Sequence, residues 1–213
     1  MIRACRITFS PKSKVGFLLA SDSQETHAFT MKSVPHDNTE HRARAQSNLL
    51  WRMDIIKGCP TLTVQSDDPA TDFSKWDAAP GVVNIQTVDD VLGRLGDRTS
   101  VGSQVRFMIR ANPVRRNSGS NRRVPITDEQ EMLDWMIRSL SPALEVEREE
   151  HSGLPELMLD REPVVKVEPR GIFFNSASFW GSARITDAER FQTMVAEGVG
   201  RGRAFGLGLL QVG

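Results

Sequence analysis

The stretch GVGRGRAFGLGLLQVG, residues 198–213, ends the chain with a glycine-rich run followed by apolar residues. Glycine recurs through the run, at Gly198, Gly200, Gly202, Gly206 and Gly208. Glycine tolerates positive φ angles and lets another backbone approach closely. A glycine-rich connection that carries arginines, here Arg201 and Arg203, is suited to holding phosphate groups. The alternative is a loose connection before a terminal strand, because a bare Gly-x-Gly pattern is a weak signal.

A fixed order of elements leads up to this stretch in the second half of the chain. Residues 104–112 alternate apolar and polar side chains, which is typical of a half-buried strand. Two helices are predicted from their N-cap residues and apolar periods, the first after Thr127 or Asp128 and the second after Thr186 or Asp187. Short strand-like segments lie between the two helices, at about 144–148, 156–160, 164–167 and 172–185. The terminal stretch then supplies the last strand of a β-α-β-β-α-β series.

The first half of the chain shows the same order. Strands are predicted at 1–10, 49–56, 61–65 and 82–88. A helix is predicted at 21–34, with Ser21 and Gln24 at the spacing of a capping box and Pro35 as its end. Phe73 and Trp76 are the apolar anchors of the segment before the last strand. The sequence therefore predicts an α+β fold class with two tandem ferredoxin-like (RRM-like) β-α-β-β-α-β domains, 1–97 and 98–213.

Composition places the chain among soluble globular proteins. Its 213 residues carry 39% hydrophobic and 25% charged residues and no net charge, and the length suffices for two domains of about 100 residues each. No apolar run approaches the ~20 residues of a membrane span, and the N-terminus lacks a signal-peptide core. Cys5 and Cys59 suit a reducing cytoplasm. Without a Cys-x-x-Cys pattern or a tight histidine cluster, no metal site is expected.

The neutral total hides a basic and an acidic segment. Between residues 104 and 123 there are six arginines and no acid: Arg106, Arg110, Arg115, Arg116, Arg122 and Arg123. Residues 145–162 carry seven acids against two arginines. A dense run of arginines is suited to RNA phosphates, where affinity is largely electrostatic. A solvated surface loop is the alternative for such a run.

His27 is the candidate for chemistry on RNA, in the second turn of the predicted helix. RNA is cleaved without metal when a base takes the 2′-hydroxyl proton and an acid protonates the leaving 5′-oxygen, and histidine suits both tasks. Nearby cations would stabilise the developing charge, and the candidates are Lys32, Arg201 and Arg203. A histidine without a role is the alternative. No Gly-x-Ser-x-Gly or Walker motif is present, so a serine hydrolase or a P-loop NTPase is not expected.

Several blocks of the chain, taken in order, resemble the CasE family of CRISPR repeat-processing endoribonucleases. The first is SPKSKVGFLLASDSQETHAFTMKSVP (10–35), in which His27 is followed by an apolar residue four positions later and a proline eight positions later. The others are LLWRMD (49–54), RFMIRANPVRR (106–116), RRVPITDEQEMLDWM (122–136) and GVGRGRAFGLGLLQV (198–212).

The resemblance implies metal-independent cleavage of precursor CRISPR RNA at the 3′ base of the repeat stem-loop. The products would be a 2′,3′-cyclic or 3′ phosphate and a 5′-hydroxyl, and the enzyme would stay on its product as a subunit of the Cascade complex. His27 takes the place of the catalytic histidine, with Lys32 as its partner. The expected RNA-binding residues are Arg115, Arg116, Arg122, Arg123, Arg201, Arg203, Gly198, Gly200 and Gly202. Some members carry a tyrosine one helical turn before the histidine, where this chain has Gln24.

Two rivals remain open at this point. The first is an RNA-binding subunit of the same complex that does not cleave. The second is a protein-interaction scaffold of two ferredoxin-like folds with no RNA affinity.

Overall fold

The structure is a computed structural model that describes residues 1–34, 48–117, 119–120, 122–167 and 172–213. The chain forms two compact units. One contains Met1–Arg94 and Arg203–Gly206, and the other contains Leu95–Gly202 and Leu207–Gly213. The sequence predicts a boundary between Asp97 and Arg98 and one domain from there to the end. The observed division has its boundary after Arg94 and assigns the tail residues Arg203–Gly206 to the first unit. Pro35, His36, His41 and the rest of the predicted loop up to residue 47 lie outside the described residues.

The first unit contains an antiparallel four-stranded sheet with the order β2-β3-β1-β4. Its strands are β1 (Arg3–Phe9), β2 (Leu50–Ile56), β3 (Cys59–Ser66) and β4 (Val82–Val88). The first and third strands are central, as the ferredoxin-like order requires. Lys57 (φ 50°) and Gly58 (φ 77°) form the two-residue turn between β2 and β3, and this pair of positive φ angles matches the twist of a hairpin. Strand β3 therefore begins at Cys59, two residues before the predicted start.

Two helices follow β1, whereas the sequence predicts one. Helix α1 (Lys14–Ser21) begins at Ser13, whose hydroxyl accepts a hydrogen bond from the Gly16 amide at 3.0 Å. Helix α2 (Ser23–Met31) is capped by Asp22, so the predicted capping role of Ser21 is wrong. Asp22 competes better for this position because its carboxylate accepts hydrogen bonds from two backbone amides, at 2.8 and 3.1 Å.

The core of the first unit fixes helix α2 against the sheet. Phe29 of α2 stacks on Trp76 with ring centroids 6.0 Å apart, and Trp76 Nε1 donates a hydrogen bond to the Phe29 carbonyl at 3.3 Å. Phe73 and Trp76 are buried, which confirms them as anchors. They lie in a 3₁₀ helix, Phe73–Trp76, in place of the second α-helix of the expected order. Burial raises the pKa of the Cys5 thiol to about 12, with a smaller contribution from Asp77.

The second unit repeats the topology. Its main sheet has the order β13-β5-β12-β8, and β9 also pairs with β12. Its strands are β5 (Gln104–Ala111), β8 (Leu144–Val146), β9 (Leu157–Arg161), β12 (Ala177–Ile185) and β13 (Leu210–Val212). Helices α3 (Glu129–Leu140) and α4 (Ala188–Glu197) are capped by Asp128 and Asp187, the second member of each predicted pair. The predicted terminal strand is β13, and it pairs with β5.

Two small hairpins extend from this sheet. Strands β6 (Val114–Arg116) and β7 (Arg123–Pro125) pair with each other, and so do β10 (Val165–Val167) and β11 (Ile172–Phe174). The C-terminal half of the arginine-rich segment is therefore part of a hairpin. Across the described residues, no helix combines the length and the apolar character needed to cross a membrane.

Candidate functional site

His27 lies in the second turn of α2 and is half-buried. The helix is held in place around it. The Thr26 hydroxyl shares its one proton between two carbonyl acceptors, Leu19 at 2.5 Å and Asp22 at 3.0 Å. The His27 ring faces the ring of Phe205, with centroids 6.4 Å apart and the planes tilted by 47°. Phe205 belongs to the glycine-rich tail, so the tail contributes a side chain to the surroundings of this histidine.

The tail segment next to His27 is a short 3₁₀ turn, Arg203–Phe205, that packs against α2 and β2. Gly206 ends the turn with a φ of 79°. A Cβ at Gly206 would lie 2.5 Å from Cζ3 of Trp51, which is buried on β2. Only glycine fits here, because the backbone rests directly on the indole and needs a positive φ. Arg203 is half-buried in this turn, so a guanidinium and the imidazole belong to neighbouring elements of the first unit.

The remainder of the glycine run belongs to the second unit and has an unusual backbone. The φ angles of Gly198, Gly200 and Gly202 are 75°, 82° and 86°. Within the described part of the chain, the amides of residues 200–202 make no hydrogen bond, which leaves them able to bind an anion. Arg201 is exposed beside them. The Gly198 amide is occupied, since it donates to the Met194 carbonyl at 2.9 Å at the end of α4.

That helix end determines where a phosphate could bind. The C-terminus of a helix presents carbonyl oxygens and a partial negative charge. Any phosphate binding in this run must therefore come from the loop amides and the arginines rather than from the dipole of α4.

Lys32 caps the C-terminal end of α2 and is exposed. Its ammonium lies 5.6 Å from the centroid of the Phe29 ring. His27 and Phe29 are two positions apart on a helix, which separates their side chains by about 200° of rotation. The ammonium is therefore drawn to the Phe29 side in this conformation, and its partnership with His27 stays a prediction.

The hairpin of β6 and β7 concentrates positive charge. Arg116 lies directly opposite Arg123 in the pairing register, an arrangement that is destabilising between like charges. Arg122 follows at the exposed end of the hairpin. These three arginines form no ion pair with any described residue, whereas Arg115 lies 3.8 Å from Glu131 Oε1. An anionic ligand would relieve the repulsion at this place.

Two of the seven acids in the acidic segment pair with the chain's own arginines. Glu162 lies 3.2 Å from Arg110, and Glu147 lies 2.8 Å from Arg184. Among the described residues, no three His, Cys, Asp or Glu side chains group together as a metal site would require.

Two features of the site were not predicted from the sequence. Phe205 is one of several apolar residues in the tail, and nothing in its spacing indicates a histidine 178 positions earlier in the chain. The contact of Gly206 with Trp51 joins segments that are also far apart in sequence. The only available signal was the glycine itself. A glycine indicates that another group packs closely against the backbone, but it does not identify which residue that is. Trp51 is buried, while Trp180 is half-exposed.

Known proteins resemble the chain over nearly its whole length. Residues 5–213 match a family described as CRISPR associated protein. The CRISPR-associated endoribonuclease Cse3 of Thermus thermophilus is 27% identical over 226 aligned positions, which cover 97% of both chains. A solved structure of Thermus thermophilus Cse3, bound to an RNA representing a pre-cleavage complex, has a TM-score of 0.79 at 24% identity and covers 100% of this chain and 98% of that one.

A second solved structure, the CRISPR-associated protein Cas6e of Escherichia coli, has a TM-score of 0.63 at 20% identity, with 100% and 98% of the two chains covered. These two likenesses and the repeated strand order confirm the predicted fold class. Because the family match spans almost every residue, the chain belongs to the CRISPR-associated protein family, and its predicted place in the CasE group is confirmed.

Proposed function

We propose that this chain is the endoribonuclease that processes precursor CRISPR RNA at the 3′ base of the repeat stem-loop. The similarity to Cse3, a CRISPR-associated endoribonuclease, extends over 97% of both chains and supports the reaction class. The observation that carries the catalytic assignment is the packing of the Arg203–Phe205 turn on α2, beside His27. An imidazole on a well-anchored helix, next to a segment that bears a cation, is suited to proton transfer at a phosphodiester.

In the proposed reaction, the 2′-oxygen forms a bond to phosphorus and the bond from phosphorus to the 5′-oxygen breaks. His27 either takes the proton from the 2′-hydroxyl or gives one to the leaving 5′-oxygen. The products are a 2′,3′-cyclic phosphate and a 5′-hydroxyl, and no metal is required. Arg203 and Lys32 are the cations that would stabilise the negative charge of the transition state. Gln24 offers no phenol at the position where some relatives have tyrosine, so positioning of the RNA carries more of the rate.

RNA binding is assigned to two surfaces of the second unit and to Arg203. The hairpin supplies Arg115, Arg116, Arg122 and Arg123, of which the last three have no carboxylate partner among the described residues. The tail supplies Arg201 and the backbone at Gly198, Gly200 and Gly202. Of the three glycines, Gly200 and Gly202 have amides that are available to a phosphate, whereas Gly198 acts by shaping the backbone.

The mature RNA stays bound after cleavage in this proposal, and the protein becomes a subunit of the Cascade complex. One chain of a solved CRISPR RNA-guided surveillance complex shares this fold, with a TM-score of 0.63 at 20% identity. The proposed location is the cytoplasm, a reducing compartment in which the free thiols of Cys5 and Cys59 are stable.

The test is incubation of the protein with the repeat RNA of its own CRISPR array in EDTA, with the ends of the products mapped. We expect one cut at the 3′ base of the stem-loop, with cyclic phosphate and 5′-hydroxyl ends. Tight binding without a cut would establish that the protein is a non-catalytic RNA-binding subunit. The absence of a phenol at Gln24 is the observation that favours this second candidate function. Negligible binding even at low salt, where phosphate contacts are strongest, would establish the scaffold.

A further inference from the structure

The backbone around His27 is immobilised by contacts on the far side of helix α2. Phe29 stacks on Trp76 within the core, and Trp76 also donates a hydrogen bond to the Phe29 carbonyl at 3.3 Å. The Thr26 hydroxyl bonds back to the carbonyl of Leu19. These contacts fix where the Cα of His27 lies. They do not fix the imidazole, because the second side-chain torsion of histidine has a broad energy minimum.

The tail turn that faces His27 is immobilised independently. The backbone of Gly206 lies on the buried indole of Trp51, where even a methyl group would approach Cζ3 to 2.5 Å. The Gly206 amide also donates a long hydrogen bond of 3.4 Å to the Arg203 carbonyl, which closes the turn. Phe205 is the residue immediately before this clamp, so its backbone position is determined by Trp51.

The two immobilised segments meet through their rings. Phe205 and His27 belong to the same compact unit, and their ring centroids lie 6.4 Å apart at a tilt of 47°. Tilted ring pairs at this separation are a favoured aromatic geometry. Both residues are half-buried.

We infer that Phe205 is a positioning residue, whose ring holds the His27 imidazole in the orientation needed for proton transfer to or from the RNA. This inference rests on the proposed function of His27. Phe205 itself exchanges no proton and touches no reacting atom. Its effect arises because proton transfer depends steeply on geometry, and a misplacement of about 1 Å costs up to about 100-fold in rate.

The experiment measures single-turnover cleavage at saturating enzyme, together with RNA affinity, for Phe205→Ala and Phe205→Leu. We expect Phe205→Ala to lower the cleavage rate about 10- to 100-fold while the RNA dissociation constant changes less than about threefold. Phe205→Leu keeps most of the volume without the ring and should lose part of the rate. Phe17→Ala removes a phenylalanine that is 44% exposed on α1 in the same unit and should leave both quantities unchanged.

A direct readout of orientation is NMR of the histidine ring protons. Removing the Phe205 ring should shift the His27 signals through loss of its ring current, whereas Phe17→Ala should not. If Phe205→Ala unfolds, the same comparison is made with Phe205→Leu, which fills the site. Wild-type rates in both Phe205 variants, or an equal loss of rate and of affinity, would overturn the inference.

The failure of this inference is distinguishable from the failure of the proposed function. If His27→Ala cleaves at the wild-type rate, the catalytic assignment of His27 fails. If His27→Ala is inactive while Phe205→Ala and Phe205→Leu cleave normally, only the positioning role fails.

Discussion

At the scale of single residues, the site depends on Gly206, whose contact partner cannot be identified from the sequence pattern. Gly206 has a positive φ and lies on Trp51, and both facts hold the tail turn beside His27. The glycine run by itself predicts positive φ angles, and all five of its glycines have them, between 75° and 88°. The partner could not be predicted, because a contact between residues 51 and 206 is determined by tertiary packing and not by local pattern.

Gly206→Ala is expected to destabilise the protein by about 1–3 kcal/mol more than Gly58→Ala, because it adds a steric overlap to the backbone cost. Gly58 is the matched control, since its φ is 77° and nothing lies within 4 Å of the Cβ it would gain. Gly58→Ala should lower the free energy of unfolding by about 1–2 kcal/mol, because a residue with a Cβ is strained in the left-handed conformation. Urea unfolding of both variants measures the difference. Equal losses would show that Trp51 does not press on the tail turn.

At the scale of elements, most helices and strands follow from local signals, while their exact starts depend on caps and turns. The alternation in β5 and the aspartates before α3 and α4 are sufficient to predict those elements. Helix α1 escaped prediction because Gly16, in its first turn, weakens its helical signal. Gly16 is present for packing, since a Cβ there would lie 2.6 Å from the Phe9 Cβ.

The cap of helix α2 can be tested through Asp22. Its carboxylate accepts hydrogen bonds from the amides of Gln24 and Glu25, so Asp22→Ala should lower the free energy of unfolding by about 0.5–2 kcal/mol. Asp22→Asn retains an acceptor oxygen and should cost much less. Denaturant unfolding monitored by circular dichroism gives both values. If Asn is as damaging as Ala, the hydrogen bonds do not stabilise the start of this helix.

The hairpin of β6 and β7 should respond in opposite ways with and without RNA. Arg116→Gln removes one of two facing arginines, so the free protein should keep its stability or gain a few tenths of a kcal/mol. RNA binding should weaken, and the slope of log affinity against log salt should fall by about one. Arg184→Gln is the control, because Glu147 holds that arginine at 2.8 Å. An unchanged salt slope for Arg116→Gln would remove this hairpin from the RNA-binding surface.

At the scale of the whole molecule, the repeated order of elements was sufficient to predict two ferredoxin-like sheets. Both sheets have the first and third strands at their centre, a consequence of the β-α-β-β-α-β order. The segment Arg203–Gly206 belongs to the first compact unit, and this could not be predicted from the sequence. Element order indicates which strands pair within a fold, but it contains no information about where a loop of the second series packs.

A protein that keeps its product should turn over only once. With repeat RNA in about tenfold excess, we expect a rapid burst of about one cleaved RNA per protein, followed by a slow phase limited by product release. Active-site titration by gel quantification measures the burst. Linear cleavage of many equivalents would contradict the retention of the mature RNA.

The catalytic role of His27 is tested most directly by the single-turnover cleavage rate of His27→Ala in EDTA. The control is His151→Ala, because His151 is exposed between β8 and β9. We expect His27→Ala to lower the rate about 100- to 10,000-fold with an unchanged RNA dissociation constant, and His151→Ala to cleave normally. Cleavage by His27→Ala at the wild-type rate would contradict the proposal that His27 transfers the proton.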